Sequence, residues 1–186
     1  PVPLHPRARR RLNRALRVAR ARGIEWMLVS GGAVHPPGTP YVEAEAMAAG
    51  GIANILIPYN IVGQAKLKRL TQLVKSGKST ITVSADSNII VDGLSLAASS
   101  DECSIREVVE MDTGGSRGGT QSPGQTLALA QHIDQLPGLE FAGVMTYPSN
   151  ERARPFLDEV RDLAQQSGLP LEMISGGGTG SEAISK

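Results

Sequence analysis

The chain has 186 residues, is 40% hydrophobic and 20% charged, and carries 21 glycines, so it is long enough for one sizeable core and short for two. One cysteine, Cys103, excludes an internal disulfide, and the three scattered histidines, His5, His35 and His132, form no zinc-like cluster; the chain fits a reducing compartment and we expect it to be cytoplasmic. The most apolar run, "IANILIPYNIVG", is broken by Asn54, Pro58 and Asn60, far short of the roughly 20 residues that span a bilayer, so no membrane partner is expected.

The net charge of +1 hides an asymmetry. The opening "RARRRLNRALRVARAR" holds eight of the 19 basic residues and no acid, leaving 11 basic against 18 acidic side chains elsewhere. A transit peptide and a nucleic-acid arm are both conceivable readings of such a segment. Leu12, Ala15, Leu16 and Ala19, however, form an i, i+3, i+4, i+7 stripe, which suits a surface helix laid over a sheet. An aromatic content of 3% leaves little to stack on bases, and no second basic cluster follows, so nucleic acid is not expected as a partner. Residues 1–42 are read as an atypical N-terminal segment of a single domain. Within it, "MLVSGGAVHPPGTPYV" (27–42) is Gly- and Pro-rich, without a helix period: a surface loop, or a lost or scrambled barrel unit.

From about Glu43 the chain alternates helix-period segments with short β-rich runs. "VEAEAMAAGG" reads as a helix with a glycine stop, and "IANILIPYN" as a buried strand. "GQAKLKRLTQLVKSG" is a helix with Leu67, Leu70, Leu73 and Val74 on one face and Gly77 after its C-terminus. There follow the strand "STITVSADS", the helix "NIIVDGLSLAASS" and the strand "SIREVVEMDTG". Ser122-Pro123 opens the next helix as N-cap and N1 proline. "LEFAGVMTYPS" is a strand, "NERARPFLDEVRDLAQQSG" a helix with Phe156, Val160 and Leu163 inward, and "LPLEMISGGG" the last strand. With a weaker strand at "IEWMLVS" there are six.

Strands alternating with helices of this length imply parallel pairing through right-handed crossovers. Polar and glycine residues gather at the strand C-terminal ends: 58–60, 84–87, 112–117, 146–149 and 175–179. In a (β/α)8 TIM-type barrel those ends form one rim around one site. Eight strands are required for closure, so the expected fold is an α/β barrel that is incomplete.

Three strand ends carry candidate chemistry. In "SGGGTG", Ser175, Gly176, Gly177, Gly178 and Thr179 lie between a strand and a helix start, where backbone N–H groups can cradle a phosphate; the stretch is neither a Walker A loop nor a G-x-G-x-x-G turn. In "VVEMDTGGSRGG", Glu110, Asp112 and Arg117 surround another glycine-rich end. Asp112 and Arg117 could simply pair with each other, or the flanking glycines could aim the guanidinium at a ligand. Tyr147 in "MTYPS" could stack on or bond to a ring, or plug the barrel mouth.

"EAEAMAAGGIANILIPYNIVGQAKLKRL", "VEMDTGGSRGG", "GLEFAGVMTYPS" and "ISGGGTGSEAISK", in this order from Glu43 to Lys186, resemble the fold-type III pyridoxal-phosphate enzymes, in particular the D-threonine aldolase and D-serine dehydratase branch with its alanine-racemase-like N-terminal barrel. The resemblance implies pyridoxal 5′-phosphate as cofactor, its phosphate held by Ser175 to Thr179 and its ring nitrogen faced by Arg117, and a small amino acid of D- or β-hydroxy type as substrate. Two departures stand against full activity. Where the family has a Schiff-base lysine in a His-x-Lys-Thr-His-Lys stretch, this chain reads "GIEWMLVSGGAVHPPG", with no lysine, and no catalytic residue can be assigned. The family's C-terminal β domain, which supplies metal ligands, also has no counterpart before Lys186, so no metal site is carried over. The sequence thus leaves three readings open: an aldolase- or racemase-like domain, inactive as given; a noncatalytic module binding pyridoxal phosphate or another phosphate ligand; and an inert truncated or frame-shifted fragment. Exposed sheet edges of an incomplete barrel would favour a homo-oligomer.

Overall fold

Among the described residues six strands pair side by side in chain order, all parallel, each joined to the next by a helix. The computed structural model describes residues 6–23, 26–28 and 40–178. Helix α1 (Pro6–Ala21) precedes β1 (Trp26–Leu28), and the units that follow are α2 (Pro40–Ala49), β2 (Asn54–Ile57), α3 (Gln64–Lys75), β3 (Thr80–Ala85), α4 (Asn88–Ser100), β4 (Ile105–Glu110), α5 (Pro123–Gln135), β5 (Leu139–Met145), α6 (Ala153–Gln166) and β6 (Met173–Ser175). The sheet is curled into part of a barrel: the C-terminal ends of β2 and β6, at opposite sides of the six-stranded order, line one cavity. Among the described residues no helix is long and apolar enough to cross a membrane.

Alternation along the strands sorts two faces. Ile55, Ile57, Ile81, Val83 and Ile105 pack outward against Leu70, Leu73 and Leu94 of the helices, and Val109, Phe141 and Val144 against Leu129, Ile133 and Val160. A smaller cluster of Leu56, Val108, Ala142 and Met145 fills the concave side. Glu107, between Ile105 and Val109 in the alternation, is fully buried on the helix-facing side, and neither carboxylate oxygen has a hydrogen-bond partner. Burial without a partner pushes its carboxyl up to about 8.

Two helix ends follow the chemistry of their sequences. Gly77, at φ 62°, follows the C-cap of α3, and Ser122 Oγ accepts from Gln125 N at 3.2 Å ahead of Pro123. Leu12, Leu16 and Ala19 are buried, as an amphipathic α1 requires, and Arg20 Nε donates to Gly50 O at 2.9 Å, tying α1 to the end of α2. Two details differ from the sequence reading. Helix α2 already starts at Pro40, inside the segment read as irregular, because proline is well suited to the first turn of a helix. On α6 Val160 and Ala164 are buried, and Phe156 and Leu157, half-buried like Leu163, pack against the core; the i, i+4, i+8 row adds Ala164 to the inward face expected from the sequence.

Candidate functional site

The strand ends converge on a cavity of about 490 Å³ at the C-terminal rim. Its walls come from Pro58, Tyr59 and Asn60 after β2, Asp86 after β3, Glu110 at the end of β4 with Arg117 and Gly118 after it, Thr146 and Tyr147 after β5, and Ser175 at the end of β6 with Gly176 to Gly178 after it. The structure therefore brings Arg117, Tyr147, Ser175, Gly176, Gly177 and Gly178 to one place; Thr179 lies outside the described residues. Parallel pairing in register is what does this, since every strand presents the same end to the same rim.

The turn after β6 is fastened to the turn after β5 by a reciprocal pair of bonds. Ser149 N donates to Gly177 O at 2.7 Å, and Gly177 N donates to Ser149 Oγ at 2.7 Å. The Gly177 N–H is thus already engaged within the fold, and Gly177 contributes its φ of 142°, a conformation few side chains tolerate. A Cβ on Gly176 would lie 2.8 Å from Ser149 Oγ, so Gly176 is glycine because the Ser149 hydroxyl fills that space. Ser149 had no signal in the sequence beyond its place at a strand end.

Asp112 and Arg117 do not pair with each other. Asp112 Oδ1 accepts from the backbone N–H groups of Gly114 at 2.8 Å, Gly115 at 2.7 Å and Ser116 at 3.1 Å. These bonds, led by that from Gly114, hold its carboxyl below the usual carboxylate range. Arg117 instead faces the cavity, its Cζ 6.0 Å from the centre of the Tyr147 ring, near the outer limit of a cation–π contact. Asp86 was not singled out among the candidate residues of the sequence, although it lies at a noted strand end; its Oδ2 accepts from Gly119 N at 3.3 Å, so it both lines the cavity and holds the far end of the Arg117 loop. Burial raises the Glu110 carboxyl and nearby Asp86 raises it further, against the opposing pull of Arg117.

The described lysines are elsewhere. Lys68 Nζ lies 2.7 Å from Asp101 Oδ1 and Lys75 Nζ donates to Asp101 O at 2.7 Å, at the C-terminal end of α4 and therefore away from the rim. Lys66 and Lys78 are exposed, and no lysine lines the cavity among the described residues. Apart from Gly23 and Trp26–Leu28, the stretch that stands where the family has its lysine lies outside the described residues.

Fold and site together define a parallel α/β partial barrel with a polar, glycine-rich rim. The family model for the alanine racemase N-terminal domain matches residues 39–181, and the chain belongs to that family. Among characterised relatives, a 3-hydroxy-D-aspartate aldolase of Paracoccus denitrificans (strain Pd 1222) is 34% identical over 153 residues, covering 75% of this chain and 39% of the relative. A D-threonine aldolase of an Arthrobacter species is 35% identical over 153 residues, covering 75% of this chain and 40% of its own. The chain thus spans about two fifths of the length of these relatives. The crystal structure of D-threonine aldolase from Filomicrobium marinum superposes with a TM-score of 0.74 at 25% identity, over 94% of this chain and 54% of that one. A Clostridium difficile alanine racemase, at a TM-score of 0.66 and 15% identity over 87% of this chain and 43% of its own, shares the fold.

Proposed function

We propose that this chain is the cofactor-holding barrel portion of an aldolase acting on D-β-hydroxy amino acids, with pyridoxal 5′-phosphate as the ligand of the rim cavity. The observation that carries the reading is the meeting of the Ser175–Gly178 turn with Arg117 and Tyr147 around one cavity of about 490 Å³, a size suited to a small phosphorylated ring. The residues fit the noncovalent part of the cofactor. The Ser175–Gly178 turn, kept open by Gly176 and held in place by Ser149, would receive the phosphate; Tyr147 would flank the ring; Arg117 would face the ring nitrogen and keep it unprotonated. When bound, the cofactor supplies an electron sink for cleaving the bond between the α and β carbons of the substrate. Glu110 lines the cavity beside Arg117, its carboxyl raised by burial and by Asp86 and lowered by Arg117.

A noncatalytic phosphate-ligand module is the second reading, and one observation favours it: no lysine lines the cavity among the described residues, while Lys68 and Lys75 are engaged with Asp101. On either reading we expect the chain as given to turn over no D-threonine and to bind pyridoxine 5′-phosphate, which has no aldehyde, reversibly and more tightly than inorganic phosphate. Calorimetric titration of both ligands, with a D-threonine cleavage assay, is the test. Equal affinity for the two ligands would remove the ring from the proposal; measurable cleavage would overturn the inactivity.

A further inference from the structure

The loop that carries Arg117 is built in a way that a surface loop does not need. It leaves β4 at Glu110 and returns at Thr120, its ends closed by bonds from Thr120 N to Glu110 O at 2.8 Å and from Asp112 N to Thr120 O at 3.0 Å. Gly114 at φ 113°, Ser116 at φ 51° and Gly119 at φ 112° all take left-handed conformations, one of them unfavourable for a residue with a side chain. A Cβ on Gly119 would lie 2.5 Å from Asp112 N, so the two ends of the loop are packed backbone to backbone. Such a path persists only where something specifies it: Asp86 holds Gly119 near its far end, and the tip before Arg117 is held by one further carboxylate. Asp112 Oδ1 accepts from three successive N–H groups, those of Gly114, Gly115 and Ser116, the last on the residue before Arg117. Its Oδ2 accepts weakly from Gln121 Nε2 at 3.4 Å, and the same nitrogen donates to Gly119 O at 2.7 Å.

Arg117 itself is exposed, as are Gly114, Gly115 and Ser116. A long cationic side chain on an exposed glycine-rich tip would ordinarily sample many rotamers, an entropy that is lost when a ligand orders it. Deepening the proposed function, on which its ligand-binding part rests, we propose that Asp112 is the positioning residue of Arg117: it captures the backbone of the turn instead of the guanidinium, and so leaves the cation ordered but free to meet a ligand in the cavity beside Tyr147. This explains why an Asp and an Arg five residues apart, with every opportunity to pair, do not. Placement of the oxygen matters for this role, and charge is secondary.

The variants D112A, D112N and D112E of the 186-residue chain separate positioning from charge. In the ligand-free protein the readout is the heteronuclear NOE of the Arg117 Nε–Hε pair, which needs no ligand. We expect an ordered value in the wild type, kept by D112N, whose amide oxygen can still accept from the turn, and lost in D112A and in D112E, which keeps the charge but moves the oxygen by a methylene. If D112A does not fold, the comparison of D112N with D112E decides alone. An Arg117 as mobile in the wild type as in D112E, or order kept by D112E and lost in D112N, overturns the proposal. The second readout is binding of pyridoxine 5′-phosphate: D112A should weaken it about tenfold in the wild-type background and less than about twofold in the R117A background, because the effect travels through Arg117. Equal losses in both backgrounds would assign Asp112 a general structural role and overturn the proposal. If the wild type binds no pyridoxine 5′-phosphate while the NOE pattern holds, the proposed ligand falls and the positioning role stands.

Discussion

Gly143 on β5 and Met173 on β6 face each other across the ladder so closely that a Cβ on Gly143 would lie 1.9 Å from the Met173 carbonyl oxygen. The ladder shifts by a residue just before this point, between Glu107–Phe141 and Val108–Gly143, and Gly143 takes φ 143° to make the shift. Gly143→Ala cannot be absorbed by a rotamer change, because the obstacle is backbone. We expect it to cost about 3 kcal/mol or more of stability in urea unfolding, with β6 and the turn after it displaced. A variant with wild-type stability would show that β6 does not sit where the register places it.

Glu107 makes stability depend on pH with a definite sign. Its folded value of about 8 stands above the ordinary 4.5, so below pH 4.5 both states hold the proton and its contribution is flat. Between 4.5 and 8 the unfolded chain releases a proton that the folded chain keeps, and stability falls as pH rises, by a total on the order of 5 kcal/mol, levelling above 8. Glu107→Gln should remove this slope: the variant gains on the wild type as pH rises from 4.5 to 9 in matched urea titrations. Parallel curves across that range would mean that Glu107 is ionised in the fold.

Ser149→Ala removes the acceptor for the Gly177 N–H, and should cost about 1 kcal/mol of stability and weaken phosphate-ligand binding. The same hydroxyl is the obstacle to a side chain at Gly176, so Gly176→Ala should be more damaging in the wild type than in the Ser149→Ala background. Thermal melts of the two single variants and the double variant give the coupling; strict additivity would dissociate the two residues.

Lysine replacement offers a check on the site itself. Because Lys66, Lys68, Lys75 and Lys78 all lie off the cavity, a chain with these four changed to arginine should bind pyridoxine 5′-phosphate as the wild type does. An affinity loss beyond about threefold would move the binding site to α3 or the turn that follows it.

Among the described strands β6 is an edge, and its Ile174 is 41% exposed. An apolar side chain on an open parallel edge favours association, and light scattering is expected to give a mass above that of one chain, reduced by Ile174→Lys. A single monomeric species in the wild type would show that the edge is covered within the chain.

The alternation of 3.6-residue and 2-residue periods, punctuated by glycine and proline, is local chemistry, and it set the order and number of the elements on its own. The same local rules located the strand ends that carry Arg117, Tyr147 and Ser175–Gly178, because in a parallel sheet every strand ends on the same side. What they could not decide is which groups are already committed. Whether Asp112 pairs with Arg117 or with three backbone N–H groups depends on the left-handed path of a loop whose ends are clamped by pairing at Thr120. That Ser149 occupies one N–H of the phosphate turn, and that Asp86 holds Gly119, depends on turns 28 and 33 residues apart being brought together by the pairing of β5 with β6 and of β3 with β4. Sequence spacing carries no information about such contacts, since they are set by register and curvature. The isolation of Glu107 is of the same kind: that it is buried beside Ile105 and Val109 with no partner for either carboxylate oxygen is set by the packing on the helix-facing side of the sheet, not by its place in the strand.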